Sequence, residues 1–147
     1  MADISATGRA LVGGTASGRV LRCTQAISGW GGIDPKTGAI IETGHPQRGE
    51  LLGGRVLVIP GAKGSSGWSG QFHLAKLIGT SPAAIVTSTL NSKLALGLTI
   101  LGIPAVIELP EESFKLLETG QQVTVHDGIV TIHDLVPADF AAPSEGA

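Results

Sequence analysis

A chain of 147 residues is sized for one domain and is long enough to bury a core without disulfide or metal staples. Hydrophobic residues make up 42% of it and charged residues only 15%, which excludes an extended polyelectrolyte; a net charge of −2 without a basic stripe argues against nucleic acid and anionic membranes as partners. The single cysteine, Cys23, excludes an intrachain disulfide and cannot by itself build a zinc or cluster site.

In chain order, "GRALVGGTASGRVLRC" reads as two short strands around a glycine-rich turn, with Leu11, Val12, Val20 and Leu21 as the apolar positions. From Gly29 to Gly49 turn chemistry dominates, with turns expected at Asp34-Pro35 and at Lys36-Thr37-Gly38. A loop of that length inside a compact domain points to function. "GGRVLVIP" is a strand buried on both faces. The segment from Trp68 to Ile78 places Trp68, Phe72, Ala75 and Ile78 at helical spacing. "AAIVTS" and "IPAVIE" are further strands, separated by a short helix in "NSKLALGLTILG" with Asn91 as its N-cap. "PEESFKLLETG" reads as a helix, with Pro110 at its start, Glu111 and Glu112 in the first turn and Gly120 as the stop. "QQVTVHDGIVTIHD" alternates as a hairpin turning at Asp127-Gly128.

Strands first, then strand–helix alternation, then a hairpin imply a mixed α/β domain: a partly parallel sheet flanked by helices, with a small second β layer. The expected boundaries are one domain over 1–136 and a loose tail over 137–147, rich in Ala, Pro, Ser and Glu. The start lacks a basic region followed by an apolar stretch, and no apolar run reaches membrane-spanning length. A cytoplasmic location is the expectation. The low charge hints at a surface covered by a partner.

Two constellations can carry chemistry. The first is "PGAKGSSGWSG", a glycine-rich turn between a buried strand and a helix start. Free N–H groups of a first helical turn favour an anion there, with Ser65 and Ser66 adding hydroxyls and Lys63 a cation. The same residues also read as an N-cap serine closing a tight turn. The segment matches neither the phosphate loop nor the nucleophile elbow. The second gathers Trp30, Asp34, His45 and Arg48 on the long loop. His45 suits an acid, a base or a hydrogen-bond donor, and Arg48 suits a carboxylate. Taken singly, Asp34 caps a turn, His45-Pro46 makes a corner and Arg48 is solvated. His73, His126 and His133 read as structural or exposed, Cys23 as a small buried thiol, and Trp68 as a packing anchor.

"SGWGGIDPKTGAIIETGHPQRGE" followed by "LLGGRVLVIPGAKGSSGWSG" resembles the small swivelling domain of aconitase X, over about Gly8 to Val130. The Trp30-to-Gly38 string, His45-Pro46 and Gly64-Ser65-Ser66 carry the resemblance, and "SPAAIVTSTLNSKLALGLTILGIPAVI" continues it. It implies a swivelling β/β/α fold and a dehydratase, a hydro-lyase active only with a large subunit. That partner would hold the iron–sulfur cluster and polarise the leaving hydroxyl. By position Ser65 is implied as the catalytic base. Lys63, Gly64, Ser66, Gly67, His45 and Arg48 are implied around a small carboxylate substrate. Classical aconitases carry an arginine after the two serines, where this chain has Gly67. Carboxylate binding then falls to backbone N–H groups at 65–67, to Lys63 or Arg48, or to the large subunit. The substrate expected is cis-3-hydroxy-L-proline, giving Δ1-pyrroline-2-carboxylate, with mevalonate 5-phosphate as the alternative. A rival class is a non-catalytic anion-binding or interaction module. A phosphohistidine-type carrier would need a histidine in the turn at Gly61 to Ser66, which has none.

Overall fold

A computed structural model describes residues 3–28, 32–60, 62–63, 67–88, 98–99 and 102–133. Strand β3 (Thr15–Arg22) organises them. Its first half pairs antiparallel with β11 (Gln122–His126), from His126 opposite Thr15 to Gln122 opposite Arg19. Its second half pairs parallel with β7 (Val56–Ile59), Val20 to Arg22 lying opposite Val56 to Val58. One strand thus joins an antiparallel meander to a parallel sheet. The parallel part continues through β9 (Ala84–Thr87) and β10 (Ala105–Ile107). The antiparallel part continues through β12 (Ile129–His133).

The edges of this sheet are β1 (Ile4–Thr7), paired with β12, and β2 (Arg9–Val12), paired with β10. The full order is β1-β12-β11-β3-β7-β9-β10-β2, eight strands. Laid flat, seven inter-strand steps would hold the edges about 33 Å apart. Yet β1 and β2 are separated in sequence by Gly8 alone, and the steps from Thr7 to Arg9 reach at most about 7 Å. The sheet must therefore curl until its edges meet. The Gly8 N–H donates to the Gly128 carbonyl at 2.8 Å at this seam.

Curling divides the core in two. Val20, Val56, Val58, Val86, Val106, Val123, Val125, Val130 and Ile132 form one cluster inside the curl. Leu21, Leu57, Ile59, Ile85 and Ala105 point the other way, with period-two alternation, into a second cluster. That second cluster is closed by Ala75 of α1 (Gly67–Ile78) and by Ile27, Ile33, Ile40 and Leu52. The all-apolar β7 is explained by this two-sided burial.

Most sequence expectations match. The hairpin turns at Asp127 and Gly128, both at positive φ (45° and 90°), as a type I′ turn requires. Asp127 also accepts the Gly14 N–H at 2.7 Å, fastening the hairpin to the turn before β3. The strands in "GRALVGGTASGRVLRC" are β2 and β3 on either side of Gly13-Gly14; β2 pairs with β10, and β3 with β11 and β7. Two findings differ. The loop from 29 to 49 contains a hairpin of β5 (Ile33–Asp34) and β6 (Ala39–Ile40), hidden because each strand has two residues. The helix read in "PEESFKLLETG" is only α2 (Glu111–Phe114). The Arg22 guanidinium ends it, donating to the Phe114 and Leu117 carbonyls at 2.8 and 2.7 Å and lying over the Phe114 ring. The Asn91 cap and the 137–147 tail lie outside the described residues; Leu98 and Thr99 within the expected intervening helix are helical.

The seam yields a test. A Cβ on Gly8 would sit 2.5 Å from the Ile107 carbonyl oxygen and 3.1 Å from the Leu109 nitrogen, both backbone. Gly8→Ala should cost about 1–3 kcal/mol, read as a lower denaturant midpoint. Gly53→Ala, whose nearest neighbour would be 3.7 Å away, should be nearly silent.

Candidate functional site

The parallel strands β3, β7, β9 and β10 end on one edge, and ligands of α/β sheets gather at carboxyl ends of strands. At that edge β7 runs into Pro60, whose carbonyl accepts the Ser88 hydroxyl at 3.1 Å from the end of β9. The chain then forms β8 (Ala62–Lys63) and, after residues 64–66, begins α1 at Gly67. The first turn of α1 holds no acidic residue, so no carboxylate of that turn opposes an anion at the start of the helix. Gly64, Ser65 and Ser66 lie outside the described residues, as does Trp30.

The two constellations distant in sequence meet here. Strand β4 (Ile27–Ser28) pairs parallel with β8, Ile27 opposite Ala62 and Ser28 opposite Lys63. The strand leading into the long loop therefore runs beside the strand leading into the serine turn. Ile27 is fully buried and holds the ladder from below.

His45, 4% exposed, sits behind β4. Its Nδ1 accepts the Gln47 backbone N–H at 3.0 Å, which leaves the proton on Nε2; Nε2–H donates to the Gln25 carbonyl at 3.1 Å. Gln47 completes the grip, its Oε1 accepting the Thr24 N–H at 3.2 Å. Arg48 is exposed, with Nε donating to the Ile41 carbonyl at 3.1 Å. Asp34 accepts the Lys36 N–H on its side chain and the Gly38 N–H on its carbonyl, shaping the β5–β6 turn. The structure thus places Lys63 on β8, paired with β4, while Asp34 shapes the β5–β6 turn and His45 fastens the corner before β4. Gln25, Gln47, Thr24 and Ser88 escaped sequence reading, because amides and hydroxyls of this kind carry no spacing signal.

The remaining histidines stand apart. His73 is exposed on α1, while His133 bonds Thr124 and Asp3 at 2.8 and 3.0 Å on the hairpin. Among the described residues no three His, Cys, Asp or Glu side chains converge on a metal site. Cys23, 2% exposed at the end of β3, is a poor ligand for an iron–sulfur cluster. Burial pushes its thiol from 9.0 up to about 12; Arg55 pulls the other way and Glu50 adds to the rise. The residues present do not fit the cluster, and no step of the chemistry is assigned to it on this chain. Among the described residues no helix is long and apolar enough to cross a membrane.

A curled mixed sheet presenting a strand–turn–helix at its carboxyl edge, braced by a second short strand, defines a swivelling β/β/α domain. The family model of the aconitase X swivel domain matches residues 5–133, and the chain belongs to that family. It is accordingly a dehydratase chain of the aconitase X type. It is 38% identical over 128 residues to the phosphomevalonate dehydratase small subunit of Methanocella arvoryzae, covering 87% of this chain and 96% of that one. It is 37% identical over 144 residues to the cis-3-hydroxy-L-proline dehydratase of Pseudomonas aeruginosa, covering 93% of this chain but 24% of that longer protein. The crystal structure of Thermococcus kodakaraensis aconitase X in its holo-form superposes with a TM-score of 0.82 at 32% identity, over 89% of this chain and 99% of that one.

Cys23 gives a pH prediction. With the folded thiol raised from 9.0 to about 12, its contribution to stability is complete below pH 9 and is lost as pH climbs toward the folded value. The stability difference between the native chain and Cys23→Ala should be constant below pH 9. Above it the difference should narrow, by at most about 1.4 kcal/mol per pH unit. Denaturant titrations from pH 7 to 10.5 check this; a constant difference throughout refutes it.

Proposed function

We propose that this chain supplies the proton-abstracting half of a dehydratase site, with Ser65 as the base and a large partner subunit closing over it. The observation that supports the reading is the strand–helix junction of β7, β8 and α1 at the carboxyl edge of the parallel strands, with Gly64, Ser65 and Ser66 between β8 and α1 in the sequence. A serine hydroxyl is a poor base in water. Backbone N–H groups at a helix start, in a site from which a partner excludes water, stabilise the alkoxide and make it competent. The alkoxide takes the proton next to the substrate carboxylate, and the hydroxyl on the neighbouring carbon leaves. Activation of that hydroxyl lies on the partner. Gly67, standing where an arginine is otherwise expected, leaves the carboxylate to the 65–67 N–H groups, Lys63 and Arg48.

The substrate proposed from the residues is cis-3-hydroxy-L-proline. Loss of its α-proton and 3-hydroxyl gives an enamine that tautomerises to Δ1-pyrroline-2-carboxylate. A second reading, mevalonate 5-phosphate, is favoured by a specific observation. The Methanocella relative of matching length bears the phosphomevalonate name, whereas the hydroxyproline relative is about four times as long. Both molecules carry a carboxylate, an α-proton and a β-hydroxyl, so one serine serves either.

A partner also accounts for the outer face of α1. Leu74, Leu77 and Ile78 lie at i, i+3 and i+4 on one stripe, and Leu77 is 72% exposed. The stripe runs along the helix whose start follows the serine turn, so a chain that seals the turn reaches it too.

Two experiments follow. In the complex assembled with its large subunit, Ser65→Ala should lower kcat about a hundredfold or more while the complex still forms. Turnover within a few-fold of native, on either substrate, removes Ser65 as the base. Leu77→Asp should weaken co-purification of the large subunit without lowering the thermal midpoint of the isolated chain. Undiminished co-purification places the interface elsewhere.

A further inference from the structure

We infer that His45 is a positioning residue, whose buried ring fixes the corner 24–25 and, through β4, the rungs to Ala62 and Lys63 that lead toward Ser65 in the sequence, without touching the substrate. Both ring nitrogens are committed within the chain: Nδ1 to the Gln47 N–H and Nε2–H to the Gln25 carbonyl, at 3.0 and 3.1 Å. At 4% exposure the ring offers no edge to a ligand. The Gln25 carbonyl it holds lies two residues before Ile27, and Gln47 holds Thr24 from the same side. The corner 24–25 is thus fixed at two adjacent backbone groups, and β4 leaves that corner in a set direction. Next, β4 lies in register against β8, Ser28 opposite Lys63, and Ser65 follows Lys63 by two residues. A two-residue parallel ladder is marginal by itself, and on the β4 side it is supported by the buried Ile27 and by the corner behind it.

The reach of the second anchor strengthens the case. The 45–50 segment is itself tied to the β5–β6 hairpin, with the Gly49 N–H donating to the Ile40 carbonyl at 2.8 Å and the Ile40 N–H to the Glu50 carbonyl at 2.9 Å. Ile33 and Ile40 are buried in the cluster that also holds Ile59 and Ala75. His45 therefore links a corner of the chain that borders the turn to a hairpin anchored in the core beneath it. Displacing a base by even about 1 Å costs about a hundredfold in rate, so such a link has kinetic weight. The kinetic consequence rests on Ser65 as the base; the structural one does not.

The test uses His45→Phe, which keeps the ring volume and loses both bonds, and His45→Gln, which keeps a donor for the Gln25 carbonyl. Hydrogen exchange on the full chain should quicken about tenfold in His45→Phe at residues 24–28 and 62–63. It should stay near native in β11 and β12, with His45→Gln intermediate. In the assembled complex His45→Phe should lower kcat about tenfold or more with KM within about threefold, and His45→Gln should recover part of the loss. A raised KM at native kcat would make His45 a substrate contact and overturn the proposal. So would unchanged exchange at 62–63, or exchange quickened equally across the chain. If Ser65→Ala leaves turnover intact, the base assignment fails while the exchange result still decides the role of His45.

Discussion

The candidate site depends on a parallel ladder of two rungs, Ile27 with Ala62 and Ser28 with Lys63. Alone, such a ladder is marginal, since isolated short strand pairs do not persist in water. What sustains it is unequal support from its two sides. On one side β8 begins three residues after the end of β7, a strand buried on both faces and bonded to β3 and β9 along its length. On the other, β4 hangs from a corner held by His45 and Gln47 and is weighted by one buried side chain, Ile27. Together the two sides hold the rungs, and Lys63 of the second rung is the residue from which the chain enters 64–66.

That asymmetry follows from how the sheet closes. Because Gly8 alone joins the two edge strands, the eight strands wrap around a valine-rich interior and cannot open on that face. All adaptable structure is displaced to the outer face and to the carboxyl edge of the parallel strands, where α1, the β5–β6 hairpin and the β4 corner cover the second cluster. A curled sheet with one elaborated edge suits the proposed closure by a partner, since such a motion carries the edge along without opening the sheet.

The elements with internal periodicity were legible in the sequence. β7, α1, β9, β10 and the final hairpin announced themselves through apolar runs, helical spacing or Asp127-Gly128. The shorter pieces were not. Strands of two residues have no period, so β4, β5, β6 and β8 could be read only as loop. The extent of α2 was misjudged because Arg22, ninety residues earlier in the chain, satisfies the carbonyls at its end. At the site, residue types suggested His45 as a chemical group, while its burial and both of its hydrogen bonds are tertiary facts. The proximity of the two constellations was likewise invisible: it arises from β4 and β8 lying side by side across more than thirty residues of sequence.

Gly67 bears on specificity. An arginine fork reads a carboxylate through two fixed N–H groups and adds a full charge. In the proposed site glycine removes both, and recognition passes to backbone N–H groups at the helix start. Such donors respond to a carboxylate and ignore the remainder of the molecule. A five-membered ring amino acid and a branched phosphorylated hydroxy acid present the same carboxylate, α-proton and β-hydroxyl to them. In the proposed reaction, discrimination must then rest on groups that reach beyond the carboxylate, either cations such as Lys63 and Arg48 or the walls supplied by the partner. One serine turn can in this way serve dehydratases of different substrates, with the proton-abstracting machinery unchanged and selectivity placed on the surface that closes over it.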